Sequence, residues 1–395
     1  MTYRHIARVG AAGLIAAGAL AVAAVPAYAA ATVDFGVNFK GTTIAADAGG
    51  KLGFVTITNH GSSTPKKVDV RFDVTKLDQS KVTVPEVGDG CTFTAGVADC
   101  LVPAADIPGP GLNLESPVPL IKVPGATGAA GKLTVTVVVD GDTDADNDSK
   151  TVDVSVGGHG VDLGIVVPDV SVLDANGIPS GKPIVPGGSS AVTGVLVNQG
   201  DATAVGLSVT VTVPKDVTFG EIDGCVRSAD KRSLHCVADD LVLTPFGGDD
   251  DTSFVEFSLP VTVSADAPGP VTLTGGNAVA AATGQESLPE AAARRLARKA
   301  LPKSFHRLTK AQIAAVDAVE VDSSDNTDQF AVLVAAKPGG STGGGTGGTG
   351  GGLPVTGPVA ASVAGTGALV IAIGAVLFVT TRRRRVVLVA PADEQ

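Results

Sequence analysis

The chain has 395 residues, a formal net charge of −11, 44% apolar residues, 4% aromatic residues and no Trp. That length allows two or three domains. So few aromatics argue against an aromatic-lined carbohydrate cleft or a base-stacking surface, and the acidic balance argues against nucleic-acid binding.

Residues 1–31 read as a secretory signal peptide. Arg4 and Arg8 form a positive start, Gly10 to Val25 is an apolar run, and Ala27-Tyr28-Ala29 supplies small residues at a cleavage site. A second possible cut follows Ala31. The alternative, an N-terminal membrane anchor, needs a longer run than one ending at Pro26.

The body, residues 32–336, holds an internal repeat. Asp34-Phe35-Gly36-Val37 matches Asp162-Leu163-Gly164-Ile165, and Val55 to Gly61 matches Val195 to Gly200, aligned on the Asn. Each copy continues with an alternating strand, Val68 to Val74 and Gly206 to Val213, and then two cysteines. Asp146-Asn147-Asp148 and Asp325-Asn326-Thr327-Asp328 each lead into a last Val-rich strand. Segments such as Leu133 to Val139 and Phe254 to Val263 alternate with period two between Gly, Asn, Asp and Pro turns. The predicted fold is all-β, with two tandem immunoglobulin-like β-sandwiches over residues 32–157 and 158–336. The pattern resembles the conserved-repeat and CARDB-type Ig-like domains of bacterial surface proteins. That resemblance implies non-catalytic stalk or adhesion modules.

The second copy departs from the pattern at residues 284–318. Ser287-Leu288-Pro289-Glu290 is a capping-box pattern, followed by an Ala-rich run with Arg294, Arg295, Arg298 and Lys299. Thr309 and Gln312 fit the cap of a second short helix. A helical hairpin inserted before the final strand is expected, either packed on a sandwich edge or offering a basic contact surface. Residues 337–352 are a Gly-rich tether with a root-mean-square span of about 20–24 Å.

The C-terminal end has three parts. Leu353, Pro354, Val355, Thr356 and Gly357 come first; an uncharged apolar span follows within a predicted transmembrane helix over residues 358–381. Arg382, Arg383, Arg384 and Arg385 then open a cytoplasmic tail over residues 382–395. The span covers roughly 30 Å, a bilayer core, and the Arg cluster stops transfer. This end resembles the LPxTG cell-wall sorting signal of Gram-positive surface proteins. The resemblance implies that a sortase cuts between Thr356 and Gly357 and passes the Thr356 acyl group to a peptidoglycan stem-peptide amine. The alternative is a plain single-span membrane protein. Removing both ends takes away six Arg and two acids, leaving 23 basic and 38 acidic residues and a net charge of −15.

Four cysteines in an exported chain point to disulfides, with three possible connectivities. The repeat favours Cys91–Cys100 and Cys225–Cys236. Asp140, Asp142, Asp144, Asp146 and Asp148 form a weak Ca²⁺ candidate. The match to an EF-hand loop is poor, because Asn147 stands where Gly is required, and a solvated acidic loop is expected instead. Asp249, Asp250 and Asp251 form a similar loop. None of His60, His159, His235 and His306 sits in a metal-ligand pair along the sequence, and no HExxH or P-loop occurs.

The expected protein is an exported, cell-wall-anchored, non-catalytic surface module with no cofactor. Its expected partners are the sortase, the stem peptide and an unknown extracellular ligand. It meets the membrane only before sorting and binds no nucleic acid. The alternatives are a wall-displayed hydrolase and a sortase-polymerised pilus subunit.

Overall fold

The computed structural model describes residues 31–85, 90–246, 252–286 and 320–337. Among these residues there are nineteen strands and no helix. The first sandwich comprises β1 (Phe35–Lys40), β2 (Thr43–Ile44), β3 (Gly50–Asn59), β4 (Asp69–Asp73), β5 (Val82–Thr83), β6 (Cys91–Thr94), β7 (Val97–Leu101), β8 (Asn113–Lys122), β9 (Gly128–Val138) and β10 (Ser149–Val156). The second comprises β11 (Leu163–Val166), β12 (Ser189–Asn198), β13 (Thr203–Thr212), β14 (Val217–Phe219), β15 (Cys225–Arg227), β16 (Ser233–Leu243), β17 (Phe254–Val263), β18 (Val271–Glu286) and β19 (Thr327–Val334).

The two sandwiches repeat one topology. A four-stranded sheet runs β1-β3-β8-β5 in the first and β11-β12-β17-β14 in the second. The facing sheets run β2-β10-β9-β4-β7-β6 and β15-β16-β13-β18-β19. Two-residue β2 pairs parallel with β10; in the second copy the isolated parallel bridges Val170–Val332 and Ile184–Val334 take its place. The layer arrangement is that of an immunoglobulin-like sandwich.

The conserved Asn of the repeat has a physical role. Asn59 Nδ2 donates to the carbonyls of Ser63 and Pro108, and its Oδ1 accepts the Gly61 N–H. Asn198 does the same with Ala202, Leu243 and Gly200. Both side chains are fully buried and hold the turns after β3 and β12. Gly follows because backbone crowds the position: a Cβ would lie 2.6 Å from Thr32 O at Gly61 and 2.2 Å from Gly160 O at Gly200.

Alternation fills one core per sandwich. Phe35, Val55, Ile57, Leu133, Val135 and Val137 belong to the first, and Leu163, Ile165, Leu196, Val211, Phe330 and Val332 to the second. β3 departs from simple alternation. Val55 and Ile57 enter the first core, while Leu52 and Phe54 pack with Val166 and Phe246 of the second sandwich. A second seam joins Leu112 to Ala331 and Leu333. Both faces of β3 are therefore buried, which accounts for its unbroken apolar run Leu52 to Val55. The two sandwiches belong to one compact unit.

One expectation needs correction. Residues 284–286 do not open a helical insertion; they continue β18 and pair with Thr203 to Val205 on β13. The ladder to β13 supplies backbone partners up to Glu286, so the strand persists to that point. The remainder of the expected hairpin, together with the predicted signal peptide, Gly-rich tether and transmembrane helix, lies outside the described residues.

Candidate functional site

The densest ionisable chemistry lies at the junction of the sandwiches. Lys51, at the start of β3, is fully buried. Its Nζ stands 2.7 Å from Asp162 Oδ2, 3.2 Å from Asp325 Oδ2 and 3.3 Å from Asp322 Oδ2. Asp162 immediately precedes β11; Asp322 and Asp325 lie in the loop that leads into β19. A lysine is buried only when paired, and here every partner comes from the other sandwich.

Burial opposes the Lys51 charge, but Asp325, Asp162 and Asp322 together outweigh it and raise its pKa above the ordinary value. The carboxylates divide. Burial pushes Asp162 up to about 8 and Asp325 up to about 6 against the pull of Lys51. Burial acts the same way on Asp322, but Lys51 and hydrogen bonds from Ser324 and the Thr43 N–H bring it down to about 2. Asp162 Oδ1 and Asp325 Oδ1 are buried without a hydrogen-bond partner among the described residues. One cation among three carboxylates leaves surplus negative charge, so Asp162 and Asp325 titrate as a coupled set that retains a proton near neutrality.

Neutral contacts surround this cluster. Gln199 accepts the Leu52 N–H at 2.6 Å and donates to Leu52 O at 3.0 Å and to Asp325 Oδ2 at 3.1 Å. On the other side of the seam Lys40 Nζ lies 2.6 Å from Asp328 Oδ1, with Glu115 Oε1 at 4.0 Å. Asp169 accepts the N–H groups of Asn113 and Ala331, at 2.9 and 2.6 Å, and burial pushes it up to about 7. Between these contacts is a cavity of about 70 Å³ lined by Asp106, Asn113, Glu115, Val167, Asp169 and Leu333, among others.

A smaller cluster sits at the rim of the same junction. Asp47, His159 and Asp201 place one ligand atom each within 4.8 Å of one another, a set able to hold a divalent cation. His159 Nδ1 is 2.9 Å from Asp201 Oδ2 and 3.5 Å from Asp47 Oδ2, and Asp201 also accepts the N–H groups of Asp47 and Gly160. The sequence gives no sign of this grouping, because its members are more than 40 residues apart in turn.

The residues singled out in the sequence are placed as follows. Disulfides join Cys91 to Cys100 and Cys225 to Cys236, each directly across a hairpin register, β6–β7 and β15–β16. The Asp140–Asp148 run is the loop between β9 and β10, and two of its carboxylates serve as turn acceptors. Asp142 accepts the Phe35 and Asp144 N–H groups, and Asp144 accepts that of Asp146. Burial raises Asp148 above its ordinary value, with the nearby Asp142, Asp144 and Asp34 adding to the effect. His60 occupies the turn after β3, and His235 pairs with Thr210 at 2.9 Å. Leu353 to Gly357, Arg382 to Arg385, Asp249 to Asp251 and His306 lie outside the described residues.

Sequence reasoning missed the junction. Two signals were available: an apolar run in β3 too continuous for a sandwich with one solvated face, and Lys51 set at its edge.

No family model matches the chain, and no curated protein matches it. Solved structures similar to parts of it include a partial N-terminal region of an enterococcal surface protein, at 10% identity over 65% of this chain and 92% of that one, with a TM-score of 0.23. An Escherichia coli alpha-2-macroglobulin activated by porcine elastase matches at 13% identity over 77% of this chain and 22% of that one, TM-score 0.22. A Salmonella alpha-2-macroglobulin mutant, Y1175G, matches at 10% identity over 77% and 16%, TM-score 0.24.

Proposed function

We propose that the chain is an exported surface protein that a sortase attaches covalently to peptidoglycan, with the two sandwiches serving as a non-catalytic structural or adhesive body. The observation that carries this is the three-part C-terminal end, Leu353 to Gly357, the apolar span and Arg382 to Arg385, in a chain that also begins with an export signal. Two cross-hairpin disulfides support an oxidising, extracytoplasmic setting. The use of the buried ionisable groups supports a structural role. Lys51, Asp162, Asp325, Lys40 and Asp328 bind one sandwich to the other rather than facing an open cleft.

In this function Thr356 carries the acyl group that the sortase cysteine attacks, and the stem-peptide amine resolves the acyl-enzyme. Thr356→Ala is the test. The variant is expected in the membrane or the medium, with none covalently bound to peptidoglycan after muramidase digestion. A variant that still co-purifies covalently with wall fragments would overturn the assignment.

A further inference from the structure

The seam contains two buried lysines in different chemical positions. Lys51 faces three carboxylates and stays an ammonium. Lys40 has one dominant partner. Its Nζ donates to Asp328 Oδ1 at 2.6 Å and to Thr327 O at 2.9 Å. The two side chains are 8% and 3% exposed. Asp328 Oδ2 accepts the Val167 N–H at 2.7 Å. Glu115 completes the group. Its side chain is 9% exposed, Oε1 accepts the Thr56 hydroxyl at 3.1 Å, and Oε2 is buried without a hydrogen-bond partner among the described residues.

We propose that Lys40 and Asp328 condense to an amide that joins the first strand of one sandwich covalently to the last strand of the other, with Glu115 carrying the proton.

The chemistry follows from the placement. The step begins with transfer of a proton from Lys40 Nζ to Asp328 Oδ1 along their hydrogen bond, which gives a neutral amine and a neutral acid. Lys40 Nζ attacks Asp328 Cγ. Charge developing on Oδ2 meets the Val167 N–H, which already points at that atom. Glu115, itself protonated, delivers its proton to Oδ1 and takes up the proton leaving Nζ. The Cγ–Oδ1 bond breaks and Oδ1 departs as water. One N–C bond has formed, one C–O bond has broken, one water has been released, and Glu115 ends protonated, as it began. Burial and the neighbouring Asp328 hold Glu115 well above the usual carboxyl range, which suits a group that must hold and return a proton. The fold holds amine and acid in contact, so the usual entropic barrier to a bimolecular condensation is already met. The product also removes two buried charges.

The second sandwich shows what the reaction requires. Aligned on Asn59 and Asn198, the position of Lys40 is Pro168 and that of Glu115 is Glu256, which is exposed. The triad is therefore confined to the seam.

The test is intact mass of the full chain as secreted, with disulfides reduced. The expected mass is below the sequence mass by one water. Trypsin should fail to cut after Lys40 and should release a branched peptide containing both Lys40 and Asp328. Lys40→Arg keeps the ion pair without an amine able to condense and should restore the full mass. Glu115→Gln keeps the shape and should slow condensation at least tenfold. A wild-type chain at full mass with Lys40 cleaved normally would overturn the proposal. So would a lost water that maps elsewhere, such as a cyclised Asp140-Gly141. Condensation of Glu115→Gln at the wild-type rate would remove Glu115 from the reaction. The wild-type mass needs no variant to fold.

Discussion

The loop before the last strand of each sandwich has the same construction and the opposite surroundings. In the first copy the Phe35 N–H donates to Asp142, and Val33 bridges Asp142 in parallel. In the second the Leu163 N–H donates to Glu320, and Val161 bridges Glu320 in parallel. Two residues on, Asp144 is exposed, whereas its counterpart Asp322 is buried against Lys51. The rest of the comparison runs along β3 and β12. Lys51 and Lys40 correspond to Ser190 and Pro168. One end of the repeat thus carries the lysines and the other receives them, and the pairing is built once. Stacking a further copy on the free Asp142–Asp148 loop would bring no lysine to it.

The largest expected effect comes from the residue that the copies do not share. Lys51→Met leaves three carboxylates without their cation and should cost about 3–5 kcal/mol at pH 8. Asp144→Asn, at the exposed counterpart of Asp322, should stay within about 0.5 kcal/mol. Urea unfolding of the full chain measures both. Equal costs would break the comparison.

The residues that the copies do share should behave alike. Asn59→Ala and Asn198→Ala each remove three hydrogen bonds from a buried turn and leave carbonyls and an N–H unpaired, a loss of about 1–3 kcal/mol. A single cooperative transition in both variants would also show that the sandwiches unfold together. Two separated transitions would show that the seam is weaker than its buried charges indicate.

Much of the architecture was legible before any coordinates. Period-two alternation at Phe254 to Val263 matches β17 residue for residue, because a strand with one solvated face writes its own pattern. The Asn-x-Gly repeat was legible because the same turn needs the same side chain twice. The junction was not legible. Lys51 meets Asp322 across 271 positions, and no local rule links them. Asp325 and Asp328 looked like turn punctuation because their composition is that of a solvated turn; only the second sandwich's position against β1 and β3 buries them. The two- and three-residue strands β2, β5 and β14 carry too few residues to show a period.

Acid should sharpen the contrast between the loops. Burial lifts Asp162 to about 8, Asp325 to about 6, and Asp169 and Glu320 to about 7, all at or near the seam. The unfolded chain holds the same groups near 4. Between about pH 4 and 8 the native state therefore binds more protons, and stability falls as pH rises through that window. Asp322 acts in the opposite sense: its contribution is present above about 4 and is lost as pH falls toward 2. The melting temperature should be a few degrees higher at pH 5 than at pH 8 and should drop again below pH 4. A melting temperature that rises steadily from pH 5 to 8 would contradict a seam that holds protons.

The smallest expected effect is that of Ca²⁺ on the free loop. Five Asp residues between positions 140 and 148 supply enough charge for a cation, but the backbone already uses Asp142 and Asp144. Asp142 accepts two N–H groups, Asp144 accepts one, and Asn147 is tied to Asp34 at 2.9 Å. A cation must compete with these bonds. The loop also lacks the Gly that lets an EF-hand turn sharply at its centre, since Asn147 stands there. The affinity left to such a loop is that of a weak extracellular site, with Kd of about 10⁻⁴–10⁻³ M. At about 2 mM Ca²⁺ and a millimolar Kd, mass action gives about 0.7 kcal/mol. For a body of this size that is a rise of about 1–3 °C over an EDTA control. Asp142→Asn should abolish even that rise. A shift well above about 5 °C would mean that the loop releases its backbone bonds to wrap the ion, and the exposed copy would then have a ligand of its own, as the buried copy has Lys51.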